Sequence, residues 1–498
     1  MKSIKLLLLL TTLSIYSQKI ELRWAEKINT RGNSTILGVK NGKYYTSHHD
    51  SDNHLVCRTY DKNLKLSEEK LVNFNFADEK KINYLGVYFL KNKIQHFILE
   101  HKKKEDKYFL YAASTDLSLN TSDQTKILDE TSDDDFINET VRISPDSTKI
   151  LVFNEHEGKR KEPNTLSFKV YNSDLTEVLL DKSVQLPIKS RDYTTESTEV
   201  DNLGNIYILA KINKERDERV KDQSKYYYKV VVINKDATPK EFDFDYPERD
   251  IESIDILPGE NNTLICSGFL KVLSKGFLSS NKKTLISDEM FSAIIDCKTT
   301  TLKSSTKYEL EGLYPEKPKK AEDYVPYKVR NIFYKKDGGS VVVAEQYKLV
   351  VVTRSTQYGT TTSYYYYYCD IAVIQINDKS EVVSVSKMPK YQMNAKNPSI
   401  VSTHFDGSTY IVYDDLEKNA TAEGDKDTKK STSGFFTSDS KNALFLLTIA
   451  PSGEMKKEVI YSYKDSKIRP YIKGSSVISK NEIMLNANDQ IGVLKIMK

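Results

Sequence analysis

Val141–Glu157 reads VRISPDSTKILVFNEHE: two runs rich in β-branched residues, each about strand length, split by a Pro-Asp-Ser turn. Two such runs across a tight turn make an antiparallel hairpin. Asn41-Gly42, between STILGVK and KYYTSHHD, marks the same turn more strongly, because Asn-Gly tolerates the positive φ that tight hairpin turns require. Further turns of this kind fall near Lys91-Asn92, Leu203-Gly204, Gly259-Glu260, Asp337-Gly338, Asp406-Gly407 and Lys480-Asn481. A second kind of turn alternates with the first, in DKNLKLS from Asp61 and then near Asp116, Asp174, Asp236, Asp296, Asp378 and Gly453. Each repeat therefore reads as four antiparallel strands, a unit that buries its faces only against neighbouring copies.

The chain holds eight turns of the first kind but seven of the second, so its last unit is one strand short. Ile20–Ile28, IELRWAEKI, is a strand-like run with no hairpin partner beside it. Pairing the two closes a ring, and radial repetition of this kind leaves only short, protected edges. The expectation is an all-β propeller of about eight four-stranded blades, with the N-terminal strand completing a last blade whose inner strands begin at Val477. Seven blades, or two smaller β-domains, are the competing arrangements. In the propeller reading residues 18–498 form one domain.

Successive turns are spaced about 50 to 58 residues apart in the first half and about 70 to 80 in the second, against about 40 to 45 for a lean blade. The excess falls mainly between second and third strands, at 213–225, 271–289, 347–368 and 414–442. In a propeller these insertions emerge on one face, and loops on a rigid scaffold are where function concentrates.

Lys and Arg total 74 against 70 Asp and Glu, a net charge of +4, with no long basic block and no nucleic-acid motif. Nucleic acid is not an expected partner. Gly totals only 19, without a phosphate-cradling loop, and neither a G-x-S-x-G elbow nor a C-x-x-C pair occurs. The sequence carries no catalytic motif and implies no cofactor and no metal.

Met1–Gln18, MKSIKLLLLLTTLSIYSQ, places Lys2 and Lys5 before an apolar run that ends near small Ser17, the plan of a secretory signal peptide over residues 1–17. The apolar run is too short to span a bilayer comfortably, and no later segment reaches about 18 consecutive apolar residues. Export to the periplasm or the medium, with no transmembrane segment in the mature chain, is the expectation.

SPDSTKILVF resembles the S-P-D-G repeats of periplasmic propellers, with Ser147 where Gly is usual. Val329–Gln392, with GGSVVVAEQY, five consecutive tyrosines, CDIAVIQIND and KMPKYQ, resembles a family of exported Bacteroidetes repeat proteins of unknown function. The likeness covers about an eighth of the chain well; it implies a fold and a compartment and no reaction. A single Trp argues against tryptophan-docked quinone dehydrogenases.

Ser340–Asn377 contains two β-type runs far longer than the mean strand of about five to six residues, so they should project beyond the blade as an arm. Tyr364, Tyr366 and Tyr368 fall on one side of its second strand and Tyr365 and Tyr367 on the other, with Tyr358 near the tip. Tyrosine offers large contact area and a hydroxyl, which suits recognition of a protein or glycan partner in the cell envelope. The competing use is packing of the same rings into a groove over the ring. His49, His101 and His156 end successive second strands and should reach one rim, as solvated loop residues or as binding groups. Asp133, Asp134 and Asp135 lack the Gly and Glu of a calcium loop. Cys266 and Cys297 fall on adjacent strands of one blade, as a disulfide or as two buried thiols. A non-enzymatic binding scaffold is the leading reading. The alternatives are a glycan- or peptide-directed hydrolase or lyase on the long-loop face, and a structural part of an envelope assembly.

Overall fold

The computed structural model describes residues 20–497 except 29–33, 53, 75–81, 91, 123–124, 133–135, 160, 235–238, 260–261, 274–288, 311–312, 314–323, 358, 394–398, 425, 433–440, 467 and 488–489. Its described strands form eight sheets, each built on four antiparallel strands, and the sixth is extended by Gln392–Met393, which pairs in parallel with Ser431–Thr432 from the long insertion of the next blade. Blade 1 spans Thr35–Val72, blade 2 Ile82–Ser132, blade 3 Phe136–Lys189, blade 4 Tyr193–Phe244, blade 5 Arg249–Glu309, blade 6 Tyr327–Met388 and blade 7 Ile400–Ser462. Blade 8 takes Pro470–Ser479, Glu482–Ala487 and Gln490–Ile496 and is completed by Ile20–Trp24, which runs antiparallel to the last of these from Ile20 opposite Ile496 to Trp24 opposite Gly492. Its first strand thus begins at Pro470, before Val477, because Pro470 and Tyr471 already pair with Ala487 and Asn486.

The first strand of every blade touches the first strands of both neighbours in cyclic order, with blade 8 returning to blade 1. These eight strands line the central axis, and the count of eight is settled by that closure. Between blades lie eight apolar layers, such as Val141, Ile150, Val152 and Tyr171 of blade 3 against Phe97, Leu110 and Leu128 of blade 2. Strand alternation delivers one such face to each neighbour, so burial on both faces holds the ring.

The recurring turns owe their shape to local hydrogen bonds. Asn41 and Gly42 both take positive φ, 50° and 73°, as do Asp406 and Gly407, 52° and 79°. In the third-to-fourth turn of blade 1, Asp61 Oδ1 accepts the backbone N–H groups of Asn63 and Lys65 at 2.8 and 2.9 Å. Asp116 repeats this with Ser118 and Asn120, both at 2.8 Å, and Asn172 with Thr176 and Glu177 at 3.0 and 3.2 Å. Three residues on, Leu64, Leu119 and Leu175 adopt positive φ, 63°, 58° and 61°, and their side chains are buried between blades. An aliphatic residue in the left-handed region is strained; the capping carboxylate or amide and the apolar burial hold it there.

Among the described residues, the only helical pieces are 3₁₀ turns at Ser190–Asp192 and Glu417–Thr421, and no helix is long and apolar enough to cross a membrane.

Candidate functional site

Second-to-third connections leave the ring on one face, and the four long insertions belong to blades 4 to 7, one half of the ring. The same half differs at the axis. The first strands of blades 1 to 6 each carry a bulge near the end that meets this face, at Ile36/Gly38, Tyr84/Gly86, Phe136/Asn138, Thr195/Ser197, Ile251/Ser253 and Val329/Asn331. A bulge leaves one extra residue outside the ladder and re-aims it. The extra residues are Leu37, Leu85 and Ile137 in blades 1 to 3, then Glu196, Glu252 and Arg330 in blades 4 to 6. At this mouth of the channel the bulged residues of blades 4 to 6 are charged, whereas Leu37 and Leu85 pack into the seams between blades 1 and 2 and between blades 2 and 3, a pattern carried by bulges that sequence periodicity did not reveal.

On this charged side the groups are linked across blades. Glu252 is held by Lys271 at 2.8 Å and by Lys328 of the next blade at 3.0 Å, and these cations keep its carboxyl below the usual range although burial opposes them. Deeper along the first strands, Arg142 donates to the Thr198 carbonyl at 3.0 Å and lies 3.8 Å from Glu199. Desolvation by the surrounding wall nevertheless raises the Glu199 carboxyl to about 7, with Asp255 adding to the rise and Arg142 opposing it.

Arg330 connects this mouth to the arm. Its Nε donates to Glu345 Oε2 at 3.0 Å, while its guanidinium lies over the rings of Tyr347 and Tyr368, 5.4 and 5.8 Å from their centroids. Tyr347 and Tyr368 face each other at the base of the hairpin formed by Ser340–Thr356 and Gly359–Ile376. Those strands remain paired from Ser340 opposite Ile376 to Thr356 opposite Gly359. They outrun the strands flanking them, which stop at Tyr327 opposite Gln346 and Met388 opposite Ile371. The arm expected from the sequence is present.

Its two faces differ. Tyr367 lies opposite Met393 of the short strand Gln392–Met393 and meets the Tyr391 ring edge-on at 6.3 Å, and Tyr365 is likewise half-buried. On the other face Leu349 pairs with Tyr366 and Val351 with Tyr364, and these four side chains are 42, 40, 51 and 54% exposed. Packing and projection are therefore divided between the faces. Tyr358 lies outside the described residues, as do Asp133, Asp134 and Asp135.

The three histidines do not form one cluster. His49 shares a face with Tyr45, toward blade 2, and its ring meets Tyr84 at 5.5 Å. His101, on the face of blade 2 turned to blade 3, stacks on Tyr108 at 4.4 Å. His156 sits opposite Phe136 on the face of blade 3 turned to blade 2. Two of the three thus share one seam and the third occupies another.

Cys266 and Cys297 are both buried free thiols, which corrects the disulfide expected as one option. Their apparent symmetry fails in register: Cys266 lies opposite Ala293, and Cys297 falls beyond the strand end at Asp296.

A closed ring of eight four-stranded blades, completed by the N-terminal strand, defines the protein as a β-propeller. No protein-family model matches the chain and no curated protein matches it. Among solved structures it is similar to the Dos1 propeller, with 7% identity over 95% of each chain and a TM-score of 0.44. It is also similar to the polysaccharide lyase Uly1, with 10% identity over 81% of this chain and 90% of that one and a TM-score of 0.39. The β-propeller domain of the Trilobed protease from Pyrococcus furiosus shares 9% identity over 88% and 98% of the two chains, with a TM-score of 0.37. Ring closure and blade topology, rather than these distant likenesses, establish the fold.

Proposed function

We propose that this protein is an exported, non-enzymatic binding scaffold that engages a protein or glycan of the cell envelope through the outer face of its arm. The observation that carries this reading is the exposed stripe Leu349, Val351, Tyr364 and Tyr366 on a hairpin anchored at its base by buried ionic contacts. Exposed apolar and aromatic side chains on a rigid support are the composition of a contact surface, and tyrosine gives both area and a hydroxyl at low entropic cost. Export rests on the signal-peptide pattern of residues 1–17 and on the resemblance to exported repeat proteins.

The test is affinity capture from a cell-envelope extract with three forms: the mature chain, a Tyr364→Ser/Tyr366→Ser variant, and a form whose 348–367 segment is a short Gly-Ser turn. Matching circular dichroism and thermal melts show all three folded. A defined protein or glycan retained by the intact chain and lost from both variants supports the reading. Equal capture by all three, or capture by none, overturns it.

A second reading, a glycan- or peptide-directed hydrolase or lyase, draws on Glu199, whose raised carboxyl stands beside Arg142 on the channel wall. It predicts turnover of an oligosaccharide or peptide that is lost in Glu199→Gln and untouched by removal of the arm.

A further inference from the structure

The seam between blades 2 and 3 holds a polar layer that neither reading uses. Glu139 and Asn154 lie directly opposite each other on the two inner strands of blade 3, on the face turned to blade 2. Cβ atoms of such pairs are about 4.5–5.5 Å apart. Both residues are buried, with 6% and 1% of their surface exposed. The Asn154 amide nitrogen is committed across the seam, donating to Thr131 Oγ1 at 2.6 Å and Asp129 Oδ2 at 3.3 Å. Its Oδ1 is buried without a donor, and so is Glu139 Oε1. Two neighbouring buried acceptors thus lack a hydrogen between them, an arrangement that costs the desolvation of both.

The charges show the same deficit. Lys169 Nζ lies 2.8 Å from Asp129 Oδ1, so that pair is balanced, and an ionised Glu139 would add one uncompensated negative charge. One positive charge and one hydrogen are missing at the same place.

We infer that Glu139 stands in the folded protein as the neutral acid, its O–H donating to Asn154 Oδ1, so that a single proton holds within blade 3 the amide that reaches across to blade 2 and completes the polar layer of the seam. The proton comes from solvent and returns there on ionisation, leaving a carboxylate against an amide oxygen. Burial is the larger cause raising this carboxyl, the Asp129 charge adds to it and Lys169 opposes both, and it reaches about 8. The other titratable or charged groups around the seam are His101 on blade 2, His156 and Asp181 on blade 3, and Arg142 further along the strand of Glu139. Because the folded value lies above the ordinary 4.5, the stabilisation is fully present below about 4.5 and is lost as pH rises through about 8. Mild alkali should loosen this seam first, at the rim that carries His101 and His156.

The experiment compares urea unfolding of the full mature chain and Glu139→Gln at pH 5, 7 and 9, with and without added Na⁺ or Ca²⁺. The Gln amide donates to Asn154 Oδ1 at every pH. The wild-type folding constant should fall relative to the variant by up to about tenfold per pH unit between 5 and 8. In the wild-type chain alone, ¹³C-carboxyl NMR of labelled glutamate should show one Glu titrating near 8, which keeps the test decisive if the variant does not fold. Parallel pH profiles, or no Glu besides Glu199 titrating above the ordinary range, overturn the inference. So does a rise in wild-type stability at pH 9 on adding either cation that the variant lacks, since a metal ion would then be the missing charge.

Discussion

Glu345 and Lys390 form an ion pair in which neither side chain keeps any exposed surface, with Nζ 2.5 Å from Oε1. Arg330 takes the second carboxylate oxygen at 3.0 Å, and Lys390 also donates to Gln392 Oε1 at 3.0 Å. Gln392 in turn donates to the Asp414 carbonyl of blade 7 at 2.6 Å. One buried carboxylate therefore joins the channel wall, the root of the arm and the neighbouring blade. Removing one partner from a buried pair leaves an uncompensated charge, which is costlier than the pair itself is stabilising.

The consequence is an asymmetry. Lys390→Met leaves Glu345 still held by Arg330, whereas Glu345→Gln strands a lysine with no exposure. Both should destabilise, Glu345→Gln by about 3–5 kcal/mol and Lys390→Met by less, and the Glu345→Leu/Lys390→Met double change should recover much of the loss. Urea denaturation of the single and double variants measures this; a larger cost for Lys390→Met would contradict the network.

Ring closure depends on a tight contact. Trp24 lies opposite Gly492, and a Cβ at that glycine would stand 2.5 Å from the indole Cε3. Gly492→Ala should therefore destabilise by about 1–3 kcal/mol through overpacking. Adding Trp24→Ala relieves the clash but forfeits the edge contact with Tyr461 at 6.4 Å, so the two changes should be clearly non-additive in a thermal-unfolding cycle. Additive losses would mean that the indole does not sit over Gly492.

All four cysteines are buried free thiols, and burial raises Cys57, Cys297 and Cys369 to about 12 and Cys266 higher still. Thiolate is the reacting form. The native protein should give almost no reaction with a disulfide reagent at pH 8, and unfolding without reductant should release four thiols. Release of two would establish one disulfide instead, and peptide mapping would show whether it joins Cys266 to Cys297.

The architecture was readable because each turn leaves a local mark. Asp61, Asp116 and Asn172 cap their own loops, and Asn41-Gly42 accepts the positive φ of its turn, so the count of turns and the spare strand at Ile20 could be found without any long-range contact. Long, uninterrupted β-type runs likewise announced the arm. What lay hidden depends on neighbours distant in sequence. Whether Tyr366 or Tyr367 is covered is decided by Tyr391 and Met393, and the separation of His49 from His101 and His156 by which blade each strand face meets. The charged bulges at Glu196, Glu252 and Arg330 shift the ladder by one residue, which alternation alone cannot register.

The two faces of the arm should separate stability from recognition. Tyr367→Ser removes the ring that meets Tyr391 and should cost about 1–3 kcal/mol, while Tyr364→Ser and Tyr366→Ser should each stay within about 0.5 kcal/mol of the parent. Denaturant midpoints check the ranking. A reversed order would place the exposed stripe in a packed environment and remove the basis for contact through it.

Asp415, 2% exposed where blade 7 enters its long insertion, accepts from Asn419 Nδ2 at 3.0 Å and from the Leu416 N–H at 2.8 Å. Those bonds favour the charged carboxylate, but burial is the larger influence and raises the group to about 6. The folded value exceeds the ordinary 3.8, so its contribution is fully present below about 3.8 and disappears as pH rises through about 6. The difference in unfolding free energy between the parent and Asp415→Asn should therefore change by about 3 kcal/mol between pH 3.5 and 7, in the direction that disfavours the parent at the higher pH. A difference that stays flat across this range would mean that the hydrogen bonds from Asn419 and Leu416 outweigh the desolvation and keep the carboxylate charged.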